Sequence, residues 1–248
     1  MKHSVIRHLR SRRRQKGQAL VEYIYVFPIL IMLILGAIQF GFIYQTKVTL
    51  NYAVFNATRE GALNNGSMDA IVDGLISGMM PLFTHSKGAA RDMSVLKDAW
   101  KQSEEQMTDA QLTHIKIVNP TPAALSAYSG LSDSGSEIPN DNLMYRDTGV
   151  SGSANMNIQD ANLLKVRVTY CYKMAVPILN KLIYNLTVDP PAVPVVGNTA
   201  ADMLDSEGGG STSRLCTGIA DEYRIPVTAE AIVRMQTPFK NPGKWVGP

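Results

Sequence analysis

From Tyr23 to Tyr44 the chain runs for 22 residues without Asp, Glu, Lys, Arg or His, and Glu22 stands at the mouth of that run. As a helix, a stretch of this length crosses the roughly 30 Å hydrocarbon core of a bilayer. Only Pro28, Gly36, Gln39 and Gly41 interrupt its apolar character. Near a helix centre an ionised carboxylate costs roughly 2.5 to 3.5 kcal/mol, and less near the interface, so Glu22 calls for a partner.

The leader before the run is basic. Lys2, Arg7, Arg10, Arg12, Arg13, Arg14 and Lys16 give the first 17 residues a charge of +7 with no acid. The chain as a whole has 24 basic and 21 acidic residues, so residues 18 to 248 carry −4, which argues against a nucleic-acid surface in the body of the protein. Seven positive charges before the run, against Lys47 just after it, orient a span with its N-terminus in the cytoplasm. A secretory signal peptide has the same order of basic and apolar regions. However, this run exceeds the usual 7 to 15 residues and ends in the bulky Gln39-Phe40-Gly41-Phe42-Ile43-Tyr44, without a small-x-small cleavage site. The expectation is a retained helix, any clipping falling on the cytoplasmic side, where Lys16 precedes the small Gly17.

Gly17 followed by Glu22 and Tyr23 resembles the prepilin-peptidase site of type IV pilin-like proteins. The longer pattern Gly17-Gln18-Ala19-Leu20-Val21-Glu22-Tyr23, Pro28, Gly36-Ala37-Ile38-Gln39-Phe40-Gly41 and Ala57-Thr58-Arg59-Glu60-Gly61-Ala62 is similar to TadE-like minor pilins of tight-adherence (Tad) pili. The likeness covers residues 16 to 63. It implies cleavage after Gly17 by a prepilin peptidase, with Gln18 as the new N-terminus. It also implies other pilin subunits, an inner-membrane assembly platform and membrane lipid as partners, with no cofactor and no nucleic acid. Within this reading Glu22 pairs with the Gln18 α-amine of a neighbouring subunit, neutralising two charges and fixing register; the plain alternative is that Glu22 snorkels to the headgroups or is protonated.

The helical pattern continues from Gln45 to the breaker Asn64-Asn65-Gly66, so one helix of on the order of 65 to 70 Å runs from about Ala19 to Leu63, kinked where Pro28 removes a backbone hydrogen bond. The expected divisions are a leader at 1–17, a transmembrane helix at 18–44, a periplasmic stalk at 45–64 and an extracytoplasmic head at 65–248. The localisation implied is a bacterial inner membrane crossed once, with the head periplasmic or carried into an extracellular pilus.

In the head, Ser67 can cap a helix over Met68 to Phe83, and a second helix is expected over Ala89 to Met107 with Met93, Leu96 and Trp100 as a core stripe. Thr113–Val118, Leu164–Tyr172 and Tyr223–Met235 read as strands; the latter two alternate apolar and polar residues, which implies a sheet with one wet face. The fold class is therefore α+β: helices packed on a small antiparallel sheet, with long loops at Asn119–Asp160 and Val188–Ser213. Cys171 and Cys216 suit an extracytoplasmic disulfide, which would stabilise by about 4 kcal/mol in the chain-entropy model, with two free thiols as the alternative.

Nothing in the sequence carries a catalytic signature. His3, His8, His85 and His114 are scattered, with no metal-ligand spacing, and Gly208-Gly209-Gly210-Ser211 lacks the lysine of a phosphate loop. A non-enzymatic pilus subunit or assembly factor is the preferred reading; a signal-anchored periplasmic enzyme or ligand-binding protein is the other.

Overall fold

The computed structural model describes residues 18–84, 93–132, 135–187, 216 and 223–247. The long helix is one piece, α1 (Gln18–Leu63), continuous across Pro28. It stops where the sequence says it should. Asn65 and Gly66 take φ of 59° and 76°, and the Gly66 N–H donates to Gly61 O at 2.8 Å, which closes the last turn through left-handed residues. Gly66 has a second duty, since a Cβ there would sit 2.2 Å from the Phe239 ring.

Helix α2 (Met68–Phe83) returns along α1. Ser67 does not cap it with its hydroxyl; the Ser67 N–H instead donates to Asn64 O at 3.0 Å within the turn. The two helices meet through small residues. A Cβ on Gly74 would lie 2.7 Å from Ala57 Cα, and one on Gly78 would lie 2.5 Å from Ala53 Cα, so the backbones are close enough to exclude any side chain at these points. Around this contact Leu50, Val54, Ile71, Leu75 and Met79 are fully buried.

Helix α3 (Met93–Thr108) packs on α2 through Ala99, Ser103 and Met107, and the Ser103 hydroxyl donates to Ile76 O at 2.7 Å. The expected Met93, Leu96 and Trp100 stripe is not core: all three are exposed, Trp100 by 41%. Small residues let α3 approach α2 closely and so win the central positions, leaving the large ones at the flank. Residues 85–92, which hold His85 of the preceding loop and the first four residues of the expected helix, lie outside the described residues.

Strands β1 (Thr113–Asn119), β3 (Leu163–Lys173) and β4 (Arg224–Arg234) form an antiparallel sheet in the order β1-β3-β4. The α+β class holds, and each of these strands was expected to within two residues. In register, Val166 pairs with Ala231 and Ile117, and Val168 with Ala229 and Ile115, so the even-numbered residues of β3 face the helices. On the other face Glu230 bridges Arg167 and, at 3.0 Å, Lys165. Both edges are occupied. The C-terminal tail runs along β1, with Ile117 N–H donating to Trp245 O and Gly247 N–H to Ile115 O, while Lys47 of α1 donates to Thr228 O on β4.

The segment Asn119–Asp160, expected as loop, carries structure of its own. It contains α4 (Pro122–Tyr128), a 3-10 turn, β2 (Glu137–Ile138) and α5 (Ile158–Ala161), and β2 pairs with β5 (Phe239–Lys240). Thr121 caps α4 by accepting from Ala124 N–H at 3.2 Å, and Asn157 caps α5 by accepting from Asp160 N–H at 2.7 Å. After β3 comes α6 (Leu179–Thr187). Residues 188–213, the second expected loop, lie outside the described residues.

Replacing Gly78 with Val should push α1 and α2 apart and destabilise the head by about 1 to 3 kcal/mol in chemical denaturation of the detergent-solubilised chain. Gly41→Ala, where a Cβ meets nothing within 4 Å, should be neutral or stabilising by up to about 1 kcal/mol. Equal losses for the two variants would show that the close approach is not what holds the helices.

Candidate functional site

The residues singled out in sequence lie along α1, and the helix treats its two ends differently. Gly17 is outside the described residues, and Gln18 is the first residue of α1. Glu22 follows one turn later, which on a 3.6-residue helix puts it on nearly the same face as Gln18. Its side chain is exposed, and Tyr23 beside it stacks on Phe27, with ring centroids 5.2 Å apart. Every residue from Glu22 to Ile34 is exposed, Pro28 included. The head leaves this part of the apolar run bare.

The upper half of α1 is built into the head along one face. Gln39, Thr46, Leu50, Ala53, Ala57 and Gly61 are buried in a line spaced by three or four residues, and Ile43 packs in the same row. A second apolar row occupies the opposite side. Tyr44, Val48, Tyr52, Phe55 and Leu63 are all exposed, at spacings of four, four, three and eight, which confines them to a sector of about 100°. Arg59 and, at the same angle as Leu63, Gln45 interrupt the row, and both are exposed. The helix is thus apolar on two faces, one filled by its own head and one open over the length of the stalk. Gly36 and Gly41 open small notches lower down, where a Cβ would meet no atom within 4 Å.

The structure joins Cys171, on the middle strand β3, to Cys216, with Cα atoms 5.6 Å apart and a sequence separation of 45. Sequence reasoning missed two features. The first is the Gly74-x-x-x-Gly78 spacing in α2, a small-residue signal for close helix packing. The second is Gln39, a polar residue within the apolar run that is fully buried and whose Oε1 accepts from Val176 N–H at 2.9 Å.

Two other features bear on chemistry. A cleft of about 680 Å³ opens between α1, the end of α2 and the end of β3; Phe42, Phe83, Tyr170, Tyr172, Lys173 and Arg224 are among its lining residues, and among the described residues no carboxylate or histidine lines it. Among the described residues no group of three or more His, Cys, Asp and Glu could hold a metal ion. On the wet sheet face, burial alone would push the Glu230 carboxyl up, but hydrogen bonds and charge from Lys165 and Arg167 outweigh it and hold the group below the ordinary carboxylate range. Burial also lowers His114.

Both shifts have the same sign for stability. A depressed carboxylate contributes above its unfolded value, and that contribution disappears as pH falls through the folded value. A depressed histidine leaves the unfolded chain binding more protons just below pH 6.5. Unfolding followed from pH 7 downward should therefore show stability falling, with Glu230→Gln flattening the acid limb; an unchanged limb would show that the Lys165–Glu230–Arg167 bridge is inert.

Among the described residues α1 is the one helix long and apolar enough to cross a membrane. No curated protein and no solved structure matches the chain. Residues 17–62, which are Gly17 and α1 as far as Ala62, match the family model described as TadE-like protein, so the similarity covers the two-faced helix and not the head.

Proposed function

We propose that this protein is a TadE-like minor pilin or assembly protein of a tight-adherence (Flp type IV) pilus, working without an enzymatic step of its own. The observation that carries the reading is the coincidence of the TadE-like match with α1, a helix whose inner face holds the head while its outer face exposes the apolar residues Tyr44, Val48, Tyr52, Phe55 and Leu63. Such a row suits lateral packing against helices of other pilus subunits, since a stripe of this kind is stable only when covered. In this reading α1 spans the inner membrane once with the basic leader in the cytoplasm and the head outside, the disulfide fitting that compartment.

The same reading gives Gly17 and Gln18 a role in processing. Cleavage after Gly17 by a prepilin peptidase creates an α-ammonium on Gln18. Glu22, one turn along and exposed in the single chain, accepts that amine from a neighbouring subunit, and the assembly platform engages the same end of α1. Pilus biogenesis, adhesion and biofilm growth follow from assembly.

Mass spectrometry of the protein from cells with the peptidase should find a peptide starting at Gln18, absent from cells lacking it and from a Gly17→Asp variant. Glu22→Ala should be processed yet fail to support pili; normal pilus number and adhesion would refute the pairing. A separate test concerns the outer row. Tyr52→Glu combined with Phe55→Glu should leave the unfolding free energy of the detergent-solubilised chain within about 0.5 kcal/mol of the parent, as for exposed positions, while abolishing co-purification of partner pilins. Retained co-purification would count against assembly through this face.

A further inference from the structure

We propose that the turn Ala175–Ile178 and helix α6 form a second membrane contact, laying the underside of the head on the lipid surface beside the point where α1 emerges. The inference rests on α1 being a membrane span. Its starting point is the level at which this segment meets α1. Val176 N–H donates to Gln39 Oε1 at 2.9 Å, and Gln39 lies five residues before the end of the apolar run at Tyr44, which is about 7 to 8 Å lower along the helix. A span of about 30 Å that begins at Tyr23 ends near residue 43. Residue 176 therefore sits at or below the boundary of the hydrocarbon. There protein covers Gln39, with its Oε1 paired to Val176 N–H and its Nε2 buried without a hydrogen-bond partner.

The exposed side of the segment has the chemistry this placement demands. Leu179 is buried, and Ile183 and Tyr184 pack inward, Tyr184 edge-on to Tyr223 at 5.5 Å, so one face of α6 belongs to the head. Outside those contacts Ile178, just before the helix, and Leu182, one turn on, are 73% and 47% exposed, with Pro177 and Lys181 also exposed. Apolar side chains flanked by a lysine that can extend to phosphate headgroups are the pattern of an interfacial helix. Ile178 adds an independent sign. It holds φ at +73°, a conformation costly for a β-branched residue and suited to glycine or asparagine, yet the position carries a large exposed apolar side chain. A turn facing water has no use for isoleucine there. A turn facing lipid does.

The occupant follows from continuity: α1 brings the bilayer to this face whatever else the protein binds. The full-length chain, reconstituted in vesicles with a Trp100→Phe, Trp245→Phe background, reports depth through single tryptophans quenched by lipids brominated on their acyl chains. Leu30→Trp in the middle of the run and Tyr52→Trp, about 12 Å beyond Tyr44, bracket the scale. Leu182→Trp and, independently, Ile178→Trp should lose fluorescence to the brominated lipid as Leu30→Trp does, while Tyr52→Trp keeps its own. Quenching at Leu30→Trp with none at either α6 position overturns the second contact and leaves the span intact, the outcome expected if another protein covers this face. No quenching at Leu30→Trp overturns the span and this inference with it.

Discussion

The close approach of α2 to α1 is the contact on which the rest depends. Gly74 and Gly78 sit where any side chain would strike Ala57 and Ala53, so the two helices lie backbone to backbone. That closeness lets Leu50, Val54, Ile71, Leu75 and Met79 interdigitate on either side of the contact. It also sets the position of α3, whose Ser103 reaches a carbonyl of α2. The sheet then closes over the same helix, and Gly61 of α1 meets Ile71 on one side and Leu164 on the other. One row of small residues thus couples the anchor, the helical layer and the sheet.

The consequence for function is that α1 does not merely tether the head. A tether would be polar outside the bilayer. This helix keeps one face in the core as far down as Gln39 and leaves the opposite row, Tyr44 to Leu63, open to other chains. The helix runs without a break from Gln18 to Leu63, and from Gln39 to Gly61 one of its faces is part of the head's core. In the proposed assembly through α1, packing around the lower part of the helix would set where the head's surfaces are presented.

Much of the architecture was legible in the residues. Asn64-Asn65-Gly66 ended α1 because left-handed residues end helices, and the alternation in Leu164–Tyr172 and Tyr223–Met235 placed β3 and β4 because a half-buried strand has period two. Other elements were missed for identifiable reasons. Thr121-Pro122 is a helix-start signal that went unread inside a polar stretch, and β2 exists only because β5, some 100 residues away, lies beside it. Met93, Leu96 and Trp100 have helical spacing, but the neighbour they needed sits against Ala99 and Ser103 instead.

The sequence by itself determined that there is one long apolar helix, that a basic stretch and a carboxylate mark its near end, and that an antiparallel sheet follows, because length, charge and periodicity are local properties of a chain. Only the tertiary structure decided which face of that helix is spent on the head and which remains open. Apolar residues lie on both faces, and composition cannot rank them. The choice is made by shape: the face with Ala53, Ala57 and Gly61 lets α2 and the sheet come close, while the face with Tyr52 and Phe55 does not. The same holds for Gln39, an interruption in the apolar run until Val176, 137 positions along the chain, supplies the hydrogen bond that explains it.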